Sequence, residues 1–432
     1  MHPLRVFLKI FPAFLFIMLI SCTSGSQRAA VLWTDRPEFA FYAEYFNNSQ
    51  KQYRVEVRYF DSPERQLLDT KERPAEAKQN QGPPPDIVAG SWLKGASTRV
   101  FFKPLDELFN TGRFHTEGLS KNSFYQCLLA MGNIDGRQYL LPVSFNAPVI
   151  IFSRDKADML SSPFTAGFEE IKKLGKDFNR ESGGVFTRMG FSPAWDDNFL
   201  YITATLFNVS FHEANPLAWD AQALEKAMSY VYDWTSGMNA SIQAEDDFKF
   251  KYFYDPPEKL IQQGRILFTY MNSDELFTLP EEKRNNLDFR WIAEQNNIPL
   301  TEGTVYMGMA KKGRASQAAK AFIRWFYQED SQRQFMEKSR DSRSFETSFG
   351  IAGGFSALRP VTEQIFPQLY PSLLGHMPPE DYLSPANILP WNWETLKERC
   401  ILPYLHERAR QESRDNIYSL ERRIANWLRT NG

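Results

Sequence analysis

The chain has 432 residues, of which 43% are hydrophobic and 24% charged, and a formal net charge of −2. These totals fit a globular protein of two or three domains at about 100–200 residues each, and exclude a disordered or collagen-like chain. No basic domain or Arg/Lys-rich tract occurs, so nucleic acid is not an expected partner.

At the N-terminus Arg5 and Lys9 precede an apolar run from Ile10 to Ile20. A helix of that length spans roughly 16 Å, too short for a bilayer core of about 30 Å, so residues 1–21 read as an export signal. Leu19, Ile20, Ser21 and Cys22 then resemble a bacterial lipobox, with an aliphatic residue at −3, a small one at −1 and the cysteine. That resemblance implies cleavage before Cys22 and a diacylglyceryl thioether on its sulfur, with residues 22–30 as a lipidated cysteine and flexible tether. The alternative is an ordinary signal peptide with a cysteine near its end. Cys127 and Cys400 remain, compatible with one disulfide or with two separate thiols. No CxxC spacing or nearby histidine points to a metal.

Val31–Trp33 is a short apolar strand, after which Asp35, Pro37 and Glu38 predict a helix start with Asp35 as cap. Phe39, Tyr42, Ala43 and Phe46 follow at helical spacing, one buried face. "YRVEVRYF" (53–60) alternates as a half-buried strand, and "DIVAG" (86–90) is a short buried one after the polar, Pro-rich "KERPAEAKQNQGPPPD". The β-α-β order argues for an α/β sheet. Residues 136–155 form a long apolar run with Pro142 and Pro148, predicting two strands with a bend or a crossing between lobes. Leu224, Ala227, Met228 and Val231 mark a helix. "RILFTYM" (265–271), "DFRWIAE" (288–294) and "TVYMGMAK" (304–311) read as strands. Ala319, Phe322, Ile323 and Phe326 mark another helix, and Ile417, Leu420, Ile424, Trp427 and Leu428 a last apolar stripe.

Catalytic motifs are absent: there is no GxSxG elbow, Walker loop or GxGxxG after a strand. "FHEAN" (211–215) begins like a zinc-protease helix, but Pro216 stands where the second histidine would be. Asp196-Asp197 and Asp246-Asp247 are adjacent pairs, which do not point at a common atom. No enzyme activity, cofactor or metal is expected.

The segment order resembles an extracellular solute-binding protein of ABC importers, of the carbohydrate-type family 1, over nearly all of the chain after the signal. "VLWTDRPEFAFYAEYFNNSQKQYRVEVRYF", "PPPDIVAGSW", "KPLDELF" and "GNIDGRQYLLPVSFNAPVIIFSRD" are similar to that family's opening blocks. "FEEIKKLGKDF", "LIQQGRILFTYMNSDE", "VYMGMAKKGRASQAAKAFIRWFYQEDSQRQFM" and "FGIAGGFSALRP" are similar to its later ones. The resemblance implies an α/β, two-lobed periplasmic-binding-protein fold (type II), with mixed sheets, flanking helices and a ligand cleft at the hinge. The expected lobes are 31–143 plus 308–346, and 144–307 plus 347–432.

On this resemblance Thr34, Asp35 and Arg36 match one binding loop, and Ser91 and Trp92 a second, with Trp92 as an aromatic wall. Asn146, Trp195, Asn272, Trp391 and Trp393 are further contact candidates. Asp274 stands where carbohydrate binders commonly place a stacking tryptophan; a carboxylate there accepts hydroxyl hydrogen bonds or pairs with a cation. The expected function is a lipid-anchored, exported, monomeric receptor for a small polar solute, by the resemblance a sugar or oligosaccharide, delivering it to the permease subunits of an ABC importer. The alternatives are a sensory lipoprotein with the same fold and, from a third class, an exported hydrolase.

Overall fold

In a computed structural model the protein is described over residues 28–72, 83–110, 118–341, 348–411 and 417–431. The signal, Cys22 and most of the tether lie outside the described residues, as does most of the Pro-rich loop.

Two sheets organise the chain. The first has six strands: β1 (Ala30–Thr34), β2 (Val55–Tyr59), β3 (Ile87–Gly90), β4 (Leu140–Phe145), then β9 (Val305–Met309) and β10 (Phe355–Ser356) from much later in the sequence, in the order β10-β4-β9-β3-β1-β2. β1 pairs parallel with β2 and β3; β9 runs antiparallel to β3 and β4, and β10 to β4. The second holds β5 (Pro148–Ser153), β6 (Thr165–Ala166), β7 (Thr269–Asn272) and β8 (Leu287–Ile292), in the order β7-β5-β8-β6.

All four residues of β3 are buried, as its unbroken apolar run requires, whereas Tyr59 on edge strand β2 is exposed. The helix Glu38–Ser49 buries Phe39, Tyr42, Ala43 and Phe46 as the spacing predicts, against Phe322, Phe326 and Phe335. A second core gathers Phe168, Phe191, Phe199 and Trp234.

Several details differ from expectation. Asp35 does not cap: the N-cap position is Pro37, and the Asp35 carboxylate faces Arg36 instead. The 136–155 run breaks at Asn146–Ala147, not at Pro142, which sits inside β4 opposite Tyr306 where the register shifts. β4 runs through Phe145, where Phe355 and Ser356 pair with Phe145 and Ser144. The ladder of "RILFTYM" begins at Thr269; the amides of Leu267 and Phe268 instead donate to the Gly190 carbonyl. In the last helix (Leu420–Asn431) Leu420 and Ile424 are buried, but Leu428 faces solvent. Cys127 and Cys400 are free thiols, one packed on each core.

Candidate functional site

A cavity of about 310 Å³ opens between the sheets, where the chain crosses from one to the other. The first sheet supplies Arg36 from the loop after β1, Trp92 from the loop after β3, Ser144 and Asn146 from the end of β4, and Ala352–Gly353 from the turn before β10. The second lobe supplies Asn198, Tyr201 and Ile202 from the helix Asp197–Leu206, Tyr270 and Asn272 from β7, and Asp274 and Glu275 from the helix Ser273–Thr278. Thr301–Gly303, on the return crossing, and Trp393, Glu394, Lys397, Glu398 and Leu402 close it. Open α/β sheets commonly bind ligands in such positions, beyond strand ends and beside helix starts.

Asn146 ties the crossings together. Its carbonyl accepts from Thr301 N at 2.9 Å and Thr301 Oγ1 at 3.2 Å; its side chain donates to Gly353 O at 2.8 Å and accepts from Ser273 Oγ at 2.8 Å. The turn it meets is tight, with Ala352 at φ 47° and Gly353 at φ 78°. A non-glycine residue in the left-handed region is disfavoured by about 1–2 kcal/mol. Ala352 is held there by Tyr42 Oη, which accepts from its amide at 3.0 Å.

Arg36 donates through Nη2 to Ser91 Oγ at 2.7 Å and pairs with Asp35 at 3.5 Å, while Ser91 Oγ donates to Gly303 O at 3.2 Å. Thr34 is fully buried, its hydroxyl accepting from Arg36 N at 3.0 Å. Thus Thr34, Asp35 and Ser91 stand behind Arg36 and are not among the wall residues. Trp92 is half-buried and packs against the apolar core of the opposite lobe; its amide donates to Glu64 Oε1 at 3.0 Å. Burial, with the Asp35 charge beside it, pushes the Glu64 carboxyl up to about 7.

Trp393 is completely buried, its ring 6.0 Å from Tyr201 and 5.7 Å from Phe211 by centroids, and its Nε1 donates to Glu302 Oε1 at 3.3 Å. Lys397 pairs with the same carboxylate and stands 4.3 Å over the Tyr201 ring. Asp274 keeps one buried carboxylate oxygen without a hydrogen bond; burial raises its carboxyl above the usual range although the Arg36 charge opposes this. Glu275 is raised likewise by burial, and its carboxylate accepts from Asn272 N at 2.9 Å.

The structure therefore brings Arg36, Trp92, Asn146, Asn272, Asp274 and Trp393 to one cavity. Trp195 stands elsewhere, stacked on Phe248 at 5.7 Å and packed beside Phe253, and Trp391 is half-buried outside the wall. Asn198, Tyr201, Tyr270, Glu302 and Lys397 escaped the sequence reading. Tyr270 falls in the strand "RILFTYM", while no local pattern marks Tyr201 or Glu302. Glu213 of "FHEAN" accepts from Ala96 N at 2.7 Å, a contact from the second lobe to the loop beyond Trp92. Among the described residues no group of three or more His, Cys, Asp or Glu side chains is placed to hold a metal, and no helix is long and apolar enough to cross a membrane.

Two mixed sheets with a polar, aromatic-walled cavity at their crossings define the class of two-lobed binding proteins. A profile of the bacterial extracellular solute-binding proteins matches residues 42–344, and the chain belongs to that family. Among solved structures it is similar to an ABC substrate-binding protein from Listeria monocytogenes in complex with cycloalternan (TM-score 0.57, 13% identity, covering 93% of this chain and 97% of that one). It is also similar to the sugar-binding protein MalE from Xanthomonas citri (TM-score 0.60, 11% identity, 93% and 96% covered). The cyclic alpha-maltosyl-1,6-maltose binding protein from Arthrobacter globiformis aligns as well (TM-score 0.58, 15% identity, 92% and 96%). No curated protein matches the sequence.

Proposed function

We propose that the protein is a receptor that captures a small sugar between its lobes and delivers it to the permease subunits of an ABC importer. The carrying observation is the cavity, in which Trp92 offers aromatic surface, backed by the buried Trp393, while Arg36, Asn272, Asp274 and Glu302 supply polar edges. Sugars suit such a site: the ring's C–H faces are apolar, and its hydroxyls need donors and acceptors around the rim. A volume of about 310 Å³ lies at the low end for ligand pockets, favouring one or two rings over a long chain. The sugar ligands of the three structural relatives support the same substrate class. The lobe boundaries follow the sheets, with crossings at Asn146, at Thr301–Thr304 and after Ser356. Cys22 is the lipid site that keeps a monomeric receptor on the outer face of its membrane, near its importer.

A thermal-shift screen of monosaccharides and disaccharides tests this reading. One sugar class is expected to raise the melting temperature by several degrees, because a ligand that binds only the native state stabilises it. No shift with any sugar contradicts it.

A further inference from the structure

The charges of the cleft are unequal. Asp274, Glu275, Glu302, Glu394 and Glu398 line it, against Arg36 and Lys397. Both cations are already engaged, Arg36 with Ser91 and Asp35, and Lys397 with Glu302. Asp274, Glu275, Glu394 and Glu398 have no ion-pair partner among the described residues.

A second feature points the same way. Tyr270 is only 7% exposed and lines the cavity, yet its hydroxyl has no hydrogen-bond partner among the described residues. The carboxylates of Asp196, Glu275, Glu302 and Asp274 all act on that phenol. The buried Asp274 Oδ1 is likewise without a hydrogen bond. A buried polar group without a partner is costly, and an ammonium group can donate to the Tyr270 hydroxyl oxygen and to a neighbouring carboxylate at once.

We infer that the captured sugar carries a protonated amine, seated against Asp274 and Glu275 beside the Tyr270 hydroxyl. This rests on the sugar-receptor reading above and narrows it. Burial raises the carboxyls of Asp274 and Glu275, and the positive charge of a bound ammonium opposes that rise.

Calorimetric titration with near-isosteric pairs tests the inference: glucose against glucosamine, galactose against galactosamine, and cellobiose against its diamino counterpart. The ammonium replaces one hydroxyl in each ring, so size is nearly constant within a pair. In the pair that binds, the amine is expected to bind about 10- to 100-fold tighter, as a charge-assisted hydrogen bond allows. Asp274→Asn is expected to remove most of that preference while the neutral sugar of the pair still binds. If Asp274→Asn does not fold, Glu275→Gln is expected to reduce the preference in the same direction. Equal or tighter binding of the neutral partners, or a preference that survives substitution, overturns the inference while the sugar-receptor reading stands. Binding of no sugar of either kind overturns both.

Discussion

Trp393→Ala is expected to destabilise the second lobe by about 3–5 kcal/mol, the usual cost of truncating a fully buried tryptophan. The ring fills space between Tyr201 and Phe211, and its Nε1 is one of two partners holding Glu302. Alanine therefore removes both the packing and a hydrogen bond to a carboxylate only 7% exposed. Trp393→Phe keeps most of the aromatic volume and deletes the donor, so its loss should be clearly smaller. Thermal or urea unfolding of both variants checks this; equal losses would mean that packing against Tyr201 and Phe211 is not the main term.

The second large effect is one of pH. Glu64 is 1% exposed and accepts from Trp92 N and Ser62 Oγ, with Asp35 as a neighbouring negative charge. Its carboxyl is raised from 4.5 to about 7 in the folded state. A raised acid favours the native state while protonated, so its contribution is full below pH 4.5 and is lost as pH rises through about 7. The loss amounts to roughly 3 kcal/mol by linkage. Glu64→Gln keeps an acceptor for the Trp92 amide but cannot ionise. Its stability should fall less than that of the native chain between pH 5 and pH 8. Parallel pH profiles of native and variant proteins would contradict the assignment. Asp35, Asp196, Asp274 and Glu275 are raised as well, so the variant's profile keeps part of the slope.

The elements and their buried faces were largely legible in the sequence, because they follow local periodicity. Phe39, Tyr42, Ala43 and Phe46 announce their helix face, and the uninterrupted apolar run of Ile87–Gly90 announces a strand covered on both sides. The loops after β1 and β3, with Arg36 and Trp92, were named through the family resemblance, and both residues line the cavity. The far wall was not. Glu302 and Trp393 are 91 residues apart, and no local pattern brings them together; the third crossing of the chain does. Trp195 shows the converse: a tryptophan in a polar turn suggests a ligand, yet Phe248 on the helix Ile242–Tyr252 and Phe253 at its end pack against it. Asp35 illustrates a local rule overridden, because the helix begins later, with Pro37 at its N-cap, and the Asp35 carboxylate faces the adjacent Arg36.

The most direct test of a solute held between the lobes is the affinity of Trp92→Ala for the sugar that the native protein binds, measured by calorimetric titration. Trp92 belongs to the first sheet, lines the cavity and reaches the core of the opposite lobe. Losing its face should cost about 1.5–3 kcal/mol of binding, a roughly 10- to 100-fold rise in Kd for the folded variant. An unchanged Kd would place the ligand somewhere other than this cleft.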